Sequence, residues 1–224
     1  MRSMHVGIAG AGLLGRLLAW KLSSLGHRVT VFDPAPDAQA RGAAGWTAAG
    51  MLSPLAELEC ADAQVATLGL RSLDLWARIV AQLSQPVDFH REGSLLLAHG
   101  GDLGSAQRLL ALIAARAPQG AMPERLTSAQ LGSLEPAVHG VAHAWLLSGE
   151  GQIHTVQAML ALAQGATDVG TRWRWSHTVM SSRRGASTAS ASIMSSMCAV
   201  SARGPSRWSA AVATIKDSRR NCVA

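Results

Sequence analysis

The sequence contains no tyrosine, two phenylalanines and only three cysteines among 224 residues. The cysteines, Cys60, Cys198 and Cys222, are widely separated, which predicts isolated thiols and excludes a disulfide framework. The eight histidines show no paired ligand spacing, so we expect no metal site. No apolar run approaches the ~18 residues that a membrane span needs. Because glycines and Arg16 interrupt the apolar N-terminus, it does not continue as a secretory signal, and we expect a cytoplasmic protein without a membrane partner.

Charge is also scarce, and it is unevenly distributed. Charged residues make up 15% of the chain and hydrophobic ones 48%, a balance typical of a globular protein. Seven of the 20 Lys and Arg residues follow residue 180, but only one of the 14 acidic residues does. The net charge of +6 therefore belongs to the tail, and the body before it is neutral. The body gives no reason to expect nucleic acid as a partner.

The tail, residues 181–224, lacks glutamate, leucine, phenylalanine and glutamine. It contains 11 serines and 9 alanines, and neither a helical nor a strand period persists across it. This composition is typical of a disordered basic tail. The alternative is a frameshift product, because serine, alanine, arginine and glycine are common in out-of-frame translations of GC-rich genes. The sudden loss of leucine favours that alternative.

The N-terminal part of the chain follows the order strand, glycine turn, helix, strand. An apolar strand at residues 4–9 enters a Gly-x-Gly-x-x-Gly turn at residues 10–15. Apolar residues at helical spacing then continue to Gly26, where the helix stops. The second strand, RVTVF, ends at Asp33. This order is typical of a βαβ unit that binds a dinucleotide.

Each part of this unit has a chemical role in nucleotide binding. The first glycine permits a tight turn, the second lets backbone N–H groups approach a pyrophosphate, and the third allows the helix to pack closely on the strand. The helix N-terminus adds a partial positive charge, and an acid after the second strand can accept hydrogen bonds from a ribose hydroxyl. These features do not separate FAD from NAD. The candidate cofactor-binding residues are Gly10, Gly12, Leu13, Leu14, Gly15 and Asp33.

The rest of the body mixes helices with strands. GWTAAGML, residues 45–52, predicts a short helix limited by Pro54, and the apolar spacing over 63–83 predicts a long amphipathic helix. VDFHREGSLLLAH predicts a hairpin with its turn near Glu92-Gly93. Three further helices are expected to begin at capping residues, namely Asp102, Thr127 or Ser128, and Thr155.

This order of elements predicts an α/β fold, a Rossmann-like doubly wound sheet with an inserted α+β module. We expect a nucleotide-binding core with its following helices at 1–84 and the inserted strands and helices at 85–150. The chain is expected to return to the nucleotide-binding domain at 151–180, before the tail at 181–224.

The stretch GWTAAGML resembles the FAD-dependent D-amino-acid-oxidase-like family, and within it the glycine oxidases of thiamine biosynthesis. The resemblance also includes GIAGAGLLG, VTVFD, the acidic residues Glu57 and Glu59, VDFHREGSLLLA, and LEPAVHGVAHAWLLSGEGQIHTVQAML. It covers about residues 4–180. It implies FAD as the cofactor, and a segment matching Trp46 to Leu52 that passes beside the flavin.

The resemblance implies further cofactor-binding residues. Small side chains in the flavin segment leave space for the ring and pyrophosphate, and Met51 supplies a backbone N–H or an apolar contact near the ring. Arg41 and Thr47 reach phosphate oxygens, and the backbone of Val179 meets the adenine. The small residues of the flavin segment are Ala48, Ala49 and Gly50.

The activity that the resemblance implies is oxidative deamination of a small amino acid or amine, with oxygen as acceptor. After residue 180 we find no match to the family's substrate-carboxylate arginine, to its neighbouring aromatic residues or to its second flavin segment. We therefore assign no catalytic residue. We expect the C-terminal half of the family fold to be missing and the chain to be a truncated, poorly active form. The expected partners are the small substrate and, optionally, a second copy of the chain.

Two other classes of protein stay open at this point. The first is a complete NAD-dependent dehydrogenase, which needs a catalytic Tyr-Lys or His-Asp pair that we do not find. The second is a non-catalytic nucleotide-binding protein whose basic tail contacts nucleic acid or acidic membranes. That alternative predicts binding with a steep salt dependence that is lost with residues 181–224.

Overall fold

The computed structural model describes residues 2–35, 37–118, 121–175 and 211–214, the last of these as backbone alone. Contacts divide the chain into two compact units. Unit 1 consists of Met1–Trp46 and Leu162–Arg207, and unit 2 of Thr47–Ala161 and Trp208–Ala224. Within the described ranges, no helix is long and apolar enough to cross a membrane. The domain boundaries expected from the sequence stay a prediction.

The elements follow one another in this order: β1 (His5–Ala9), α1 (Leu13–Ser24), β2 (Arg28–Asp33), a 3-10 helix (Ala44–Trp46), β3 (Met51–Leu52), a second 3-10 helix (Ala56–Glu59), α2 (Ala63–Val80), β4 (Phe89–His90), β5 (Ser94–Ala98), α3 (Leu103–Arg116), β6 (Glu124–Leu126), α4 (Ser128–Leu134), β7 (His143–Leu147), β8 (Gly151–Ile153), α5 (Thr155–Asp168), β9 (Arg172–Trp175) and β10 (Ala211–Thr214).

Unit 1 contains a three-stranded parallel sheet in the order β1-β2-β9. The helix α1 connects β1 to β2 and packs against β2, as the βαβ pattern predicts. Side chains of β2 alternate, so that Val29 and Val31 are buried whereas Phe32 is 37% exposed. The hydroxyls of Ser23 in α1 and Thr171 before β9 form a buried hydrogen bond of 2.8 Å. The carboxyl ends of the three strands lie at one edge, where parallel sheets bind ligands.

Unit 2 contains two antiparallel sheets, in the orders β10-β5-β7-β6 and β3-β8-β4. The strand β5 is buried along its whole length. Leu96 and Ala98 pack into one apolar cluster with α3, and Leu95 and Leu97 pack into another. Since both faces of β5 are covered, its sequence is a continuous apolar run and does not alternate.

The predicted hairpin in VDFHREGSLLLAH is wrong. The strand β4 pairs with β8, whereas β5 pairs with β7 and β10, so the two strands lie in different sheets. Gly93 lies between them with φ +88°, in the left-handed region that glycine tolerates. A turn signal between two apolar runs shows that the chain changes direction, but the pairing partners are chosen by distant residues.

The predicted helix in GWTAAGML is also wrong. A 3-10 helix ends at Trp46, and the chain then becomes extended and pairs with β8. Gly50 has φ +83°, which a right-handed helix does not allow. The carbonyl of Gly50 accepts a hydrogen bond of 2.9 Å from the Ile153 N–H. Pairing with β8 therefore decides the conformation of this segment.

The capping residues of the helices agree only partly with the predictions. Asp102 occupies the N-cap position of α3, but its side chain makes no capping hydrogen bond. Thr155 is the first residue inside α5, where its hydroxyl donates to the Ala48 carbonyl at 3.0 Å. The carbonyl of His154 accepts from the N–H of Ala158, so His154 takes the position predicted for Thr155.

Thr127 caps α4 as predicted, and its contribution can be measured. Its hydroxyl accepts a hydrogen bond from the Gln130 N–H, while the Gln130 side chain accepts one from the Thr127 N–H at 2.8 Å. Thr127→Ala removes the hydroxyl, and we expect urea denaturation to show a loss of about 1 kcal/mol in the free energy of unfolding. In the control Ser133→Ala, the lost hydroxyl donates to the Ala129 carbonyl of the same helix. An equal loss in both variants would contradict the capping role.

Candidate functional site

The glycine turn of unit 1 brings α1 very close to the end of β1. Gly10 has φ +100°, and its N–H donates to the Phe32 carbonyl at 2.8 Å. A Cβ atom added at Gly15 would lie 1.9 Å from the Gly10 carbonyl oxygen. Only glycine at position 15 allows this approach. The close packing predicted for the third glycine is therefore present.

The N-terminus of α1 has the electrostatic character of an anion-binding site. Gly12 is its N-cap, no side chain forms a capping hydrogen bond, and the first turn contains no acidic residue. Leu13 and Leu14 in this turn are 38% and 63% exposed. The first N–H groups of a helix lack intrahelical partners, and the helix dipole favours a negative charge next to them.

Asp33 ends β2 and closes the glycine turn through both carboxylate oxygens. Its Oδ2 accepts a hydrogen bond of 2.6 Å from the Ala11 N–H, and its Oδ1 accepts one of 2.8 Å from the Ala35 N–H. Each carboxylate oxygen can accept a further hydrogen bond, and the residue is only partly buried. The side chain therefore holds the turn and keeps acceptor capacity for a ligand hydroxyl.

Arg16 is a residue of this site that the sequence reasoning missed. It is 2% exposed, its Nε donates to the Ala11 carbonyl at 2.6 Å, and its Nη2 donates to the Ala38 carbonyl at 2.8 Å. The guanidinium carbon lies 5.2 Å from the centre of the Trp46 ring. Burial lowers the pKa of Arg16, and the charge of Asp33 opposes that shift. The helical spacing of the sequence could have revealed this residue, because Arg16 lies on the same buried face of α1 as Ala19 and Trp20.

Ala11, Arg16 and Asp33 line a cavity of about 360 Å³ at the carboxyl edge of the parallel sheet. The predicted residues Gly10, Gly12, Leu13, Leu14 and Gly15 are not among the described residues that line it. Arg41 is exposed and is not among the described residues that line it. Val179 lies outside the described residues. The lining consists of Ala11, Arg16, Asp33, Pro34, Ala35, Ala40, Gly42, Ala43, Trp46 and Trp175.

The small-residue segment, residues 48–51, lies in unit 2, where two contacts hold its backbone against β8 and the start of α5. The Ala48 carbonyl accepts from the Thr155 hydroxyl, and the Gly50 carbonyl accepts from the Ile153 N–H. A Cβ atom at Gly50 would lie 2.0 Å from the Ile153 carbonyl oxygen, which explains this glycine. Ala48 and Ala49 are exposed, and Met51 is 37% exposed.

This segment forms one wall of a second cavity, of about 460 Å³, within unit 2. Four predicted cofactor-binding residues line this cavity, namely Ala48, Ala49, Gly50 and Met51. Thr47 is exposed and is not among the described residues that line it. Small apolar side chains make up most of this wall. The lining consists of Ala48, Ala49, Gly50, Met51, Ser53, Ala56, Glu57, Glu59, Cys60, Leu96 and Leu109.

Glu150, which the sequence reasoning also missed, supports the chain next to this cavity. It is 0% exposed. Its Oε1 accepts hydrogen bonds from the N–H groups of Leu55 at 3.0 Å and Ala56 at 2.8 Å, and its Oε2 accepts one from the Ser94 hydroxyl. Burial raises the pKa of Glu150, and these hydrogen bonds partly oppose the shift. A single glutamate between two glycines carries no periodic signal that would reveal this role.

The glycine turn, the acid at the end of β2 and the cavity at the strand ends define a dinucleotide-binding α/β protein. Residues 5–215 match the family model described as FAD dependent oxidoreductase, DAO. The chain belongs to this family, and the predicted family, enzyme class and cofactor type, FAD, are confirmed at that level. The assignment favours FAD over the NAD alternative.

Several known proteins are similar to this chain. A thiamine biosynthesis oxidoreductase of Rhizobium etli, ThiO, is 35% identical over 170 residues, which are 75% of this chain and 48% of that protein. The crystal structure of glycine oxidase from Geobacillus kaustophilus matches with a TM-score of 0.62 at 22% identity, over 78% of this chain and 47% of the glycine oxidase chain. Iminodiacetate oxidase from Chelativorans sp. BNC1 has a TM-score of 0.60 at 23% identity, with 78% and 46% covered.

These structures confirm the predicted mixed α/β oxidase fold. The chain spans about half the length of each of these three relatives. The family match extends to residue 215, and residues 211–214 pair with β5. The interpretation of the tail as disordered or frameshifted stays a prediction.

Proposed function

We propose that this chain binds FAD and belongs to a cytoplasmic enzyme that oxidatively deaminates a small amino acid or amine. The observation that carries the proposal is the cavity at the carboxyl edge of the parallel sheet, which Ala11 of the glycine turn, Arg16 of α1 and Asp33 line together. The substrate class rests on similarity to the thiamine biosynthesis oxidoreductase and to glycine and iminodiacetate oxidases.

The residues of unit 1 fit the nucleotide part of FAD. The close approach of α1 at Gly15 and a helix start without a side-chain cap support a diphosphate at this position, because helix N-termini bind phosphate groups well. Asp33 would accept from the ribose hydroxyls. Arg41 and Val179 are proposed contacts to phosphate and adenine.

The residues of unit 2 fit the neighbourhood of a flat ring. We assign the wall from Ala48 to Met51 to the flavin, because its small side chains and accessible backbone permit close approach. Thr47 is a proposed phosphate contact. Bound FAD would supply the electron acceptor for oxidation of the amine, and the protein would orient the substrate and exclude water.

The test is a titration of the purified full chain with FAD, followed by quenching of flavin fluorescence. We expect saturable binding, and Asp33→Ala should weaken it by about tenfold or more, because it removes the ribose acceptor and two bonds that hold the turn. The control Asp168→Ala removes an exposed acid of the same unit, paired with Gln164, and should leave binding unchanged.

Two results would count against the proposal. Saturable binding of NAD without any binding of FAD would contradict the cofactor. Equal FAD affinity in the wild type and in Asp33→Ala would contradict the location of the nucleotide site. Oxidation of glycine or another small amine by the FAD-loaded chain would extend the proposal to the activity.

A further inference from the structure

We propose that Arg16 is a positioning residue that forms the nucleotide cavity of unit 1 before any ligand binds. The inference rests on the proposed function, since it assigns a role at that site. One buried side chain joins the glycine turn at Ala11, the loop after β2 at Ala38 and the 3-10 helix at Trp46. All three segments contribute walls to the same cavity.

The loop after β2 needs such an anchor because it has little packing of its own. None of residues 37–43 is buried, so the burial of apolar side chains does not hold this loop in place. Its backbone bonds are local, from Ala40 N–H to the Asp37 carbonyl at 3.4 Å and from Trp46 N–H to the Ala43 carbonyl at 3.1 Å. The bond from Arg16 to Ala38 spans 22 residues and connects the loop to α1.

Arginine is suited to this role in a way that lysine is not. Its planar guanidinium presents donors in fixed directions and stacks on an aromatic ring, so one group satisfies two carbonyls and covers Trp46 at once. An ammonium group is a compact point charge without the stacking face. Ordering a loop costs conformational entropy at the moment of binding, and a loop that is already ordered binds its ligand more tightly.

The buried charge also acts on the cavity directly. The guanidinium is a cationic group, and it lines the cavity into which an anionic diphosphate would be drawn. It balances the negative charge of Asp33, which otherwise opposes a phosphate. Arg16 thus combines the ordering of the wall with a favourable field for the ligand.

The test compares Arg16→Met and Arg16→Lys with the wild-type full chain, by hydrogen exchange without ligand and by titration with ADP. In Arg16→Met we expect faster exchange across residues 10–15 and 37–46 and an ADP affinity lower by about tenfold or more. Arg16→Lys should restore only part of either property. The control Arg28→Met removes an exposed arginine of β2 and should change neither.

The outcomes separate a positioning role from a general loss of stability. Exchange that accelerates only in residues 10–15 and 37–46 supports the proposal, whereas equal acceleration through α2 and α3 overturns it. Wild-type exchange and ADP affinity in both Arg16 variants would also overturn it. If the wild type binds neither ADP nor FAD, the proposed function itself fails. If the wild type binds and the variants bind equally well, only the role of Arg16 is refuted.

Discussion

Replacing Glu150 with alanine should lower the free energy of unfolding by about 3 kcal/mol. The substitution leaves the N–H groups of Leu55 and Ala56 and the hydroxyl of Ser94 without their acceptor, and both Leu55 and Ser94 are buried. Each unsatisfied buried donor costs about 1–3 kcal/mol. The alanine variant no longer has the free-energy cost of burying a carboxyl group, which offsets part of this loss. Urea denaturation followed by circular dichroism measures the loss. The second 3-10 helix should be displaced, which hydrogen exchange at residues 55–60 would detect.

The conservative variant Glu150→Gln separates the hydrogen bonds from the charge. Its amide oxygen can still accept from the two backbone N–H groups, so we expect a loss of about 1 kcal/mol or less at neutral pH. The exposed glutamate nearby, Glu57, is the matched control. Glu57→Gln should leave stability unchanged within about 0.5 kcal/mol. A loss in Glu150→Ala no larger than that in Glu57→Gln would contradict a structural role for Glu150.

The stabilities of the wild type and of Glu150→Gln should also depend differently on pH. Burial raises the pKa of Glu150 above its ordinary value of 4.5, so the folded chain holds the proton more tightly than the unfolded chain. The stabilisation is present in full below pH 4.5 and is lost as the pH rises through the folded-state pKa. The stability advantage of the wild type over Glu150→Gln should therefore shrink as the pH rises from 4. An advantage that grows with pH would show that the carboxylate form is the one favoured by folding.

Gly15→Ala should destabilise unit 1 by about 2–3 kcal/mol, because the added carbon would lie 1.9 Å from the Gly10 carbonyl oxygen,. That oxygen is backbone, so the helix α1 must move away from the turn. We expect FAD and ADP affinity to fall by about a hundredfold, since the N–H groups of the helix start then lose their position. Denaturation and nucleotide titration measure the two effects.

Two other glycines provide the comparison for Gly15. A Cβ atom at Gly7 would make only an ordinary contact of 3.6 Å with the Phe32 ring, so Gly7→Ala should leave nucleotide binding intact. Gly12 has φ −69° and an equally open surrounding. Gly12→Ala should therefore fold normally but weaken binding if the backbone there approaches a pyrophosphate. Unchanged binding in Gly15→Ala would contradict the assignment of the turn as the diphosphate site.

Features that depend on neighbouring residues could be predicted from the sequence. The order β1, α1 and β2, the glycine turn and the terminal Asp33 lie within about 30 residues, so periodicity and turn chemistry determine them locally. The capping box at Thr127 is local in the same way, because its partner Gln130 lies one turn away. The family could be recognised for the same reason, since its signature consists of short, contiguous motifs.

Features that depend on distant residues were decided only by the tertiary structure. The helix predicted for GWTAAGML became an extended segment because β8, about a hundred residues later, supplies its backbone partners. Glu150 meets Leu55 across 95 residues, and Arg16 meets Ala38 across 22. The inward position of Arg16 follows from the helical period, but neither its partner Ala38 nor the partners of Glu150 do, because a buried polar contact is selected by geometry in three dimensions. By itself the sequence determined the nucleotide-binding unit and its family, and the packing of remote segments decided which charged residues support the two cavities.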